Sequence, residues 1–214
     1  IKQSRGVSAY SPLLIQQDVG RDTLDAIEVN KFDLPGVRVD VNLRRNYIHQ
    51  SQAAHLIGYL SEISPTELKS GSYPDCRSGD LIGKFGAEKV YENSLRGKRG
   101  GRQVEVNANG LVVRILKTVE AEPGHNVYLT IDRSLQRRTE ALLEGVVGAA
   151  VAVEPATGQI LALASCPSFD QNSFVGGITR AQWESLISNP FRPMSNRAIQ
   201  GEYPPGSTYK IITA

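Results

Sequence analysis

Tyr203-Pro204-Pro205-Gly206-Ser207-Thr208-Tyr209-Lys210 sets the reading of this chain. Proline fixes φ and glycine admits strained backbone values, so Pro-Pro-Gly forces an extended bend. Past Gly206 nothing breaks a helix, which places Ser207 at or near a helix N-terminus with Lys210 on the same face one turn later. A serine hydroxyl is a poor nucleophile at neutral pH and needs a nearby base, and a helix start favours the developing negative charge. Ser207 and Lys210 supply both within one turn, and they form the only Ser-x-x-Lys pair in the sequence. Taken alone the pair is a weak signal, because an exposed helix start with a capping serine and a solvated lysine also accounts for it.

The 214 residues suffice for one large domain or two small ones. Hydrophobic content of 40% and charged content of 21% are those of an ordinary globular protein. The net charge of +2 is too small to argue for nucleic acid or a strongly acidic partner. No apolar run is long enough to span a bilayer, and Ile1 opens no signal peptide. Cys76 and Cys166 lie far apart without a Cys-x-x-Cys or a histidine at ligand spacing, so neither a metal nor a cofactor is expected, and both thiols are expected free.

Working back from the serine, Thr179-Arg180-Ala181-Gln182 is a capping box leading a helix with Trp183, Leu186 and Ile187, Trp183 on its inner face, stopped at Asn189-Pro190. Ala149–Val153 and Ile160–Ala164 read as a hairpin buried on both faces, joined by Glu154–Gln159. Asp132 caps a helix with Leu135, Leu142, Leu143 and Val146 on one side, after a strand at Val127–Ile131. Glu120–Gly124 marks a composition shift taken as the domain boundary, dividing the chain into 1–122 and 123–214. Before it, Asn109-Gly110 closes a hairpin between Gln103–Val106 and Leu111–Ile115. Arg96–Arg102 is a basic, glycine-rich loop without the order of a Walker motif, read as flexible and solvated, and Ala87–Leu95 as one helix. Ser64-Pro65-Thr66-Glu67 is a second capping box closed by Gly71. Val37–Leu43 alternates as a half-buried strand, Asp22–Asn30 is a short helix with Leu24 and Ile27 inward, and Ser11-Pro12 is a turn. His55, in an apolar stretch without acidic or cysteine partners, reads as structural, and His49 and His125 as loop residues.

Several blocks then recur in one order: Ala53–Tyr59, Leu81–Gly86 with Glu88-Lys89 and Tyr91-Glu92, and Leu95-Arg96-Gly97. Leu129–Asp132, Pro155–Gly158, Pro167–Asp170, Asn196–Ala198 and Tyr203–Lys210 follow. Together they make nearly the whole chain resemble the class B penicillin-binding proteins, nearest to the elongation transpeptidases of rod-shaped bacteria. The resemblance implies an α+β architecture. Residues 1–122 would be part of an elongated non-catalytic pedestal, and 123–214 the N-terminal portion of a transpeptidase domain with a helix-covered antiparallel sheet.

It further implies a cell-wall enzyme and antibiotic target, crosslinking peptidoglycan stem peptides by D,D-transpeptidation. Ser207 would be acylated and Lys210 would act as general base, with the Ser207 N–H helping to stabilise the oxyanion. β-Lactams, a SEDS-family glycan polymerase and the rod-complex scaffold are the partners it implies. The location it implies is the bacterial inner membrane, reached through an N-terminal helix lying outside this sequence, with the bulk periplasmic. The family's Ser-x-Asn and Lys-Thr-Gly motifs have no counterpart here, so the 214-residue chain by itself is expected not to acylate or crosslink. The rival readings are an interaction module in which the pedestal is the working part, and a penicillin-sensing or β-lactamase-like serine protein.

Overall fold

The computed structural model describes residues 13, 15, 16, 18–40, 44–107 and 112–213. In chain order the elements are α1 (Arg21–Val29), α2 (Ala54–Ile57), β1 (Leu60–Glu62), α3 (Pro65–Lys69), β2 (Leu81–Gly83), α4 (Gly86–Val90) and α5 (Glu92–Leu95). There follow β3 (Gly101–Val106), β4 (Val112–Val119), α6 (Arg133–Leu142), β5 (Gly148–Val153), β6 (Ile160–Cys166), α7 (Asn172–Val175), α8 (Arg180–Ser188) and α9 (Arg197–Gln200). A 3₁₀ turn (Gly206–Tyr209) runs into α10 (Lys210–Thr213). The strands pair as three antiparallel ribbons, β1 with β2, β3 with β4 and β5 with β6. The class is mixed α+β.

The chain packs as two compact units. One combines the residues before Arg44 with Gly100–Glu120, and the other combines Arg44–Arg99 with the chain from Ala121 onward. In the first, α1 half-buries Leu24 and Ile27, as its periodicity predicts, and β3 and β4 form a hairpin with two register shifts. The Asn109-Gly110 turn and the Ser11-Pro12 turn lie outside the described residues.

In the second unit the helix starts follow the caps written in the sequence. Ser64 and Thr179 close full capping boxes with Glu67 and Gln182, and Asp132 accepts from Leu135 N. Each satisfies backbone donors that the first turn leaves without a partner. The core holds an aromatic cluster of Phe169 and Phe174 on Ala54, with Tyr59 stacked on Phe174 at a centroid distance of 4.0 Å. A second cluster gathers Ile63, Cys76 and Ile82 under Tyr73. Both cysteines are unbridged. Gly58 and Gly86 interlock: Gly58 has φ +84°, and a Cβ there would meet the Phe85 carbonyl oxygen at 1.8 Å.

Several expectations give way. Val37 and Val39 are half-buried and Arg38 and Asp40 exposed, but residues 37–40 form no strand; residues 41–43 of the expected strand lie outside the described residues. Alternation reports which side of an extended chain is covered, and a strand also needs a partner. Residues 127–131 are likewise irregular. Their end nevertheless ties to β6, where Thr130 Oγ1 donates to Ile160 O at 2.6 Å and Asp132 N donates to Leu161 O at 2.9 Å.

The expected helix over Ala87–Leu95 breaks at Tyr91, whose φ of −102° and ψ of 18° leave the helical well. The basic loop after it is fastened rather than free. Arg96 donates to Leu81 O and pairs with Glu92, Arg99 pairs with Asp80, and the Lys98 and Glu122 backbones bridge each other. On α6 Leu135 and Leu142 are exposed, Leu143 just after it is half-buried, and Gln136 is the buried residue. Strand β5 alternates half-buried and exposed positions, and only β6 is covered through its middle. Trp183 is 39% exposed and meets Phe174 edge-on.

Glu92 joins these pieces. Its carboxylate accepts from Gly83 N at 2.5 Å on β2 and pairs with Arg96, and the residue is buried. Removing one partner of a buried ion pair strands the other, so Glu92→Ala is expected to cost about 3–5 kcal/mol in denaturant unfolding.

Candidate functional site

Ser207 is the second residue of the 3₁₀ turn, which begins at Gly206 with φ +54° directly behind Pro205. Residues three apart eclipse in a 3₁₀ helix, so Lys210, opening α10 with φ −61° and ψ −26°, stands on the same side of the axis as Ser207. The Lys210 N–H donates to the Ser207 and Thr208 carbonyls, and Thr208 Oγ1 donates back to Pro205 O, so the backbone around the pair is internally tied. Both residues are exposed, and their side chains make no hydrogen bond to each other. Glu202, Tyr203 and Tyr209 beside them are exposed as well.

The segment entering this turn is anchored more firmly than the turn itself. Arg197 donates to Phe191 O, Arg192 O and Ser195 O, clamping the loop before α9. Asn196, 1% exposed, caps α9 by accepting from Ala198 N at 3.1 Å. Gly201 ends the helix where no side chain fits, since a Cβ would stand 2.5 Å from both Arg197 O and the Tyr203 ring.

Two outside elements hold the same segment. From β6, Ser165 Oγ donates to Ser195 O at 3.2 Å and accepts from Arg197 N at 3.0 Å. From α2, His55 Nε2 contacts Pro193 O at 2.7 Å, and Asn196 Nδ2 donates to His55 O at 3.3 Å. A carbonyl only accepts, so this contact makes Nε2 the protonated ring nitrogen. His55 is buried with Phe169 edge-on at 5.3 Å, and burial first, with Arg197 adding to it, holds its pKa below the ordinary value.

The sequence names His55 a structural histidine, and its place bears that description out. The reach from His55 to Pro193 was not readable, because it spans 138 positions. The available signal was a lone polar residue in an apolar run, which has to find a partner somewhere. His49 and His125 sit in a turn and an irregular segment. Among the described residues no cluster of His, Cys, Asp or Glu could hold a metal ion, and no helix is long and apolar enough to cross a membrane.

With this arrangement in view, the comparisons are specific. Residues 1–129 match the family described as the penicillin-binding protein dimerisation domain, and residues 148–214 match the penicillin-binding protein transpeptidase domain. The chain belongs to the penicillin-binding proteins. It is similar to the peptidoglycan D,D-transpeptidase MrdA of Escherichia coli K12, with 43% identity over 190 residues, 87% of this chain and 30% of that protein. A complex between the penicillin-binding protein PBP2 and MreC from Helicobacter pylori matches with a TM-score of 0.77 at 29% identity, covering 90% of this chain and 36% of that one. Pseudomonas aeruginosa PBP2, in complex with WCK 5153, matches with a TM-score of 0.66 at 35% identity, covering 81% and 34%. The chain spans about a third of the length of these relatives.

Because His55 titrates lower when folded than unfolded, the unfolded chain binds the extra proton first on acidification. Its contribution to stability is present above an unfolded pKa of about 6.5 and is lost as pH falls below it. The denaturation midpoint is expected to drop between pH 7.5 and pH 5.5, and His55→Gln to flatten that slope.

Proposed function

We propose that this chain is part of a peptidoglycan D,D-transpeptidase of the cell-elongation machinery, with Ser207 as its acylated nucleophile and Lys210 as its base. One observation carries the reading. A hydroxyl at the start of a helical turn has an amine three residues on, directly behind a Pro-Pro-Gly bend, inside the stretch matched by the transpeptidase family. In this reading residues 1–122 belong to the non-catalytic pedestal and 123–214 open the catalytic domain.

The chemistry is acyl transfer. Ser207 Oγ attacks the carbonyl between the two terminal D-alanines of a stem peptide as Lys210 takes the hydroxyl proton. The peptide bond breaks, the terminal D-alanine leaves with a proton, and an ester links the remaining peptide to Ser207. An amine from a neighbouring strand then attacks that ester, forming the crosslink and restoring the hydroxyl. The helical N-terminus around Ser207 suits the oxyanion formed in each half-reaction, because its free N–H groups point toward the charge. A β-lactam presents a strained amide to the same hydroxyl, and its ring opening leaves a stable ester.

The similarity to the Helicobacter PBP2–MreC complex supports a rod-complex scaffold as partner. In this reading the protein stands outside the cytoplasm, tethered to the inner membrane beside a SEDS-family polymerase. Exposed Val113, Ile115, Leu116 and Val119 on β4 are apolar surface of the kind a protein partner covers.

The test is covalent labelling of the full-length protein by a fluorescent penicillin. Ser207→Ala is expected to abolish the label, and Lys210→Ala to slow it by about 10²–10⁴-fold, the usual contribution of a positioned base. Label retained by Ser207→Ala would remove this serine from the reaction.

A further inference from the structure

The segment carrying Ser207 is held partly by residues of the dimerisation-domain stretch. We propose that His55, far from the reacting atoms, is a positioning residue for Ser207: its ring and its carbonyl together fix the run 193–201 that delivers the serine turn. The inference rests on Ser207 being the nucleophile.

His55 grips this run twice. Its ring N–H donates to Pro193 O at 2.7 Å, and its own carbonyl accepts from Asn196 Nδ2 at 3.3 Å. Both ends of the grip are buried, His55 at 3% exposure and Asn196 at 1%. A buried carbonyl without a donor is costly, so Pro193 O holds to the ring N–H and does not drift. Met194 adds apolar contact with the aromatic core, which holds the segment down without setting its direction. Direction comes from the hydrogen bonds, those of His55 on one side and Ser165 on the other.

From Asn196 to Gly201 the chain is tied down before the exposed approach to the serine. The α9 cap fixes its start, Gly201 N donates to Arg197 O, and the Tyr203 ring lies over Gly201. Two prolines then hold φ up to Gly206. A shift at Pro193–Asn196 therefore moves the origin from which the exposed turn carrying Ser207 sets out. His55 lies within residues 1–129, matched to the dimerisation domain, and Ser207 within 148–214, matched to the transpeptidase domain. The grip consequently makes the attack geometry of one domain depend on a residue of the other.

The experiment separates binding from acylation in the full-length protein, following a fluorescent penicillin by stopped flow to obtain the pre-covalent dissociation constant and the acylation rate constant. His55→Leu keeps bulk but loses the donor. It is expected to lower the acylation rate constant roughly tenfold to a hundredfold, as a misplaced nucleophile does, while the dissociation constant stays within about twofold. His55→Gln, whose amide N–H reaches a similar distance, is expected to restore the rate to within about threefold of the parent, and the shorter His55→Asn to fall with the leucine variant. Thermal melting reports whether each variant folds; if leucine does not, the glutamine and asparagine pair decides. Wild-type acylation in a folded leucine or asparagine variant overturns the proposal, as does an equal loss in glutamine and asparagine. Ser207→Ala is the control for the underlying reading: label on that variant removes the serine mechanism, whereas a silent Ser207→Ala beside a fast His55→Leu removes only the role of His55.

Discussion

Residues 47–58 dip into the interior of the larger compact unit at Tyr47, at Ala53–His55 and at Gly58, with only one short helix between them, so backbone N–H and C=O groups along this path need partners that regular structure does not supply. Side-chain amides supply them. Asn172 pairs with both backbone groups of Tyr47 at 2.9 Å each, Gln171 donates to Gly58 O, and Asn196 donates to His55 O. Ser168 takes Ser51 O, and Glu140 accepts from Ala53 N at 2.7 Å. A carboxamide offers one acceptor and two donors in a plane, which is the pattern of a peptide group, so it can replace a missing strand neighbour. Each of these contacts joins positions far apart in sequence. The segment is thereby fixed by the part of the chain that also carries Ser207.

That arrangement explains why this unit draws on both sides of the composition shift at Glu120–Gly124. The first matched family ends at residue 129 and the second begins at residue 148, beyond that shift. Packing answers a different question, namely which side chains satisfy which backbone. Arg45 shows the same habit with charge: it pairs with buried Glu88, whose other contact is the Tyr47 hydroxyl. Burial first, and then Glu88, push that phenol's pKa upward, which keeps it protonated as a donor.

Local features were legible because their causes are local. The capping boxes at Ser64 and Thr179 and the Asp132 cap need only residues within one turn, and each forms as written. That a helical turn begins beside Ser207 was legible for the same reason, although the bend before it is not extended, since Pro205 sits at ψ −21° in the helical region. What failed depended on partners elsewhere. Val37–Asp40 and Val127–Ile131 carry strand-like residues but meet no ladder. On α6 the apolar stripe says nothing of what is buried, because hydrogen bonding decides it: Gln136 turns inward to bond Leu163 N and O, while Leu135 and Leu142 stay exposed. Of the candidate site, the Ser-x-x-Lys spacing was readable, while the support beneath it, from Ser165 and His55, is made of contacts that no window of sequence contains.

The Gln136 contact has one more consequence. Its amide covers the outer rim of β6 at Leu163, and Thr130 and Asp132 cover the same rim at Ile160 and Leu161. Strand β5 has no ladder neighbour on its far side among the described residues. Among the described residues the ribbon is thus covered on the β6 margin from Ile160 to Leu163 and keeps its unpaired ladder groups on the β5 margin, the side on which a further strand finds hydrogen-bond partners.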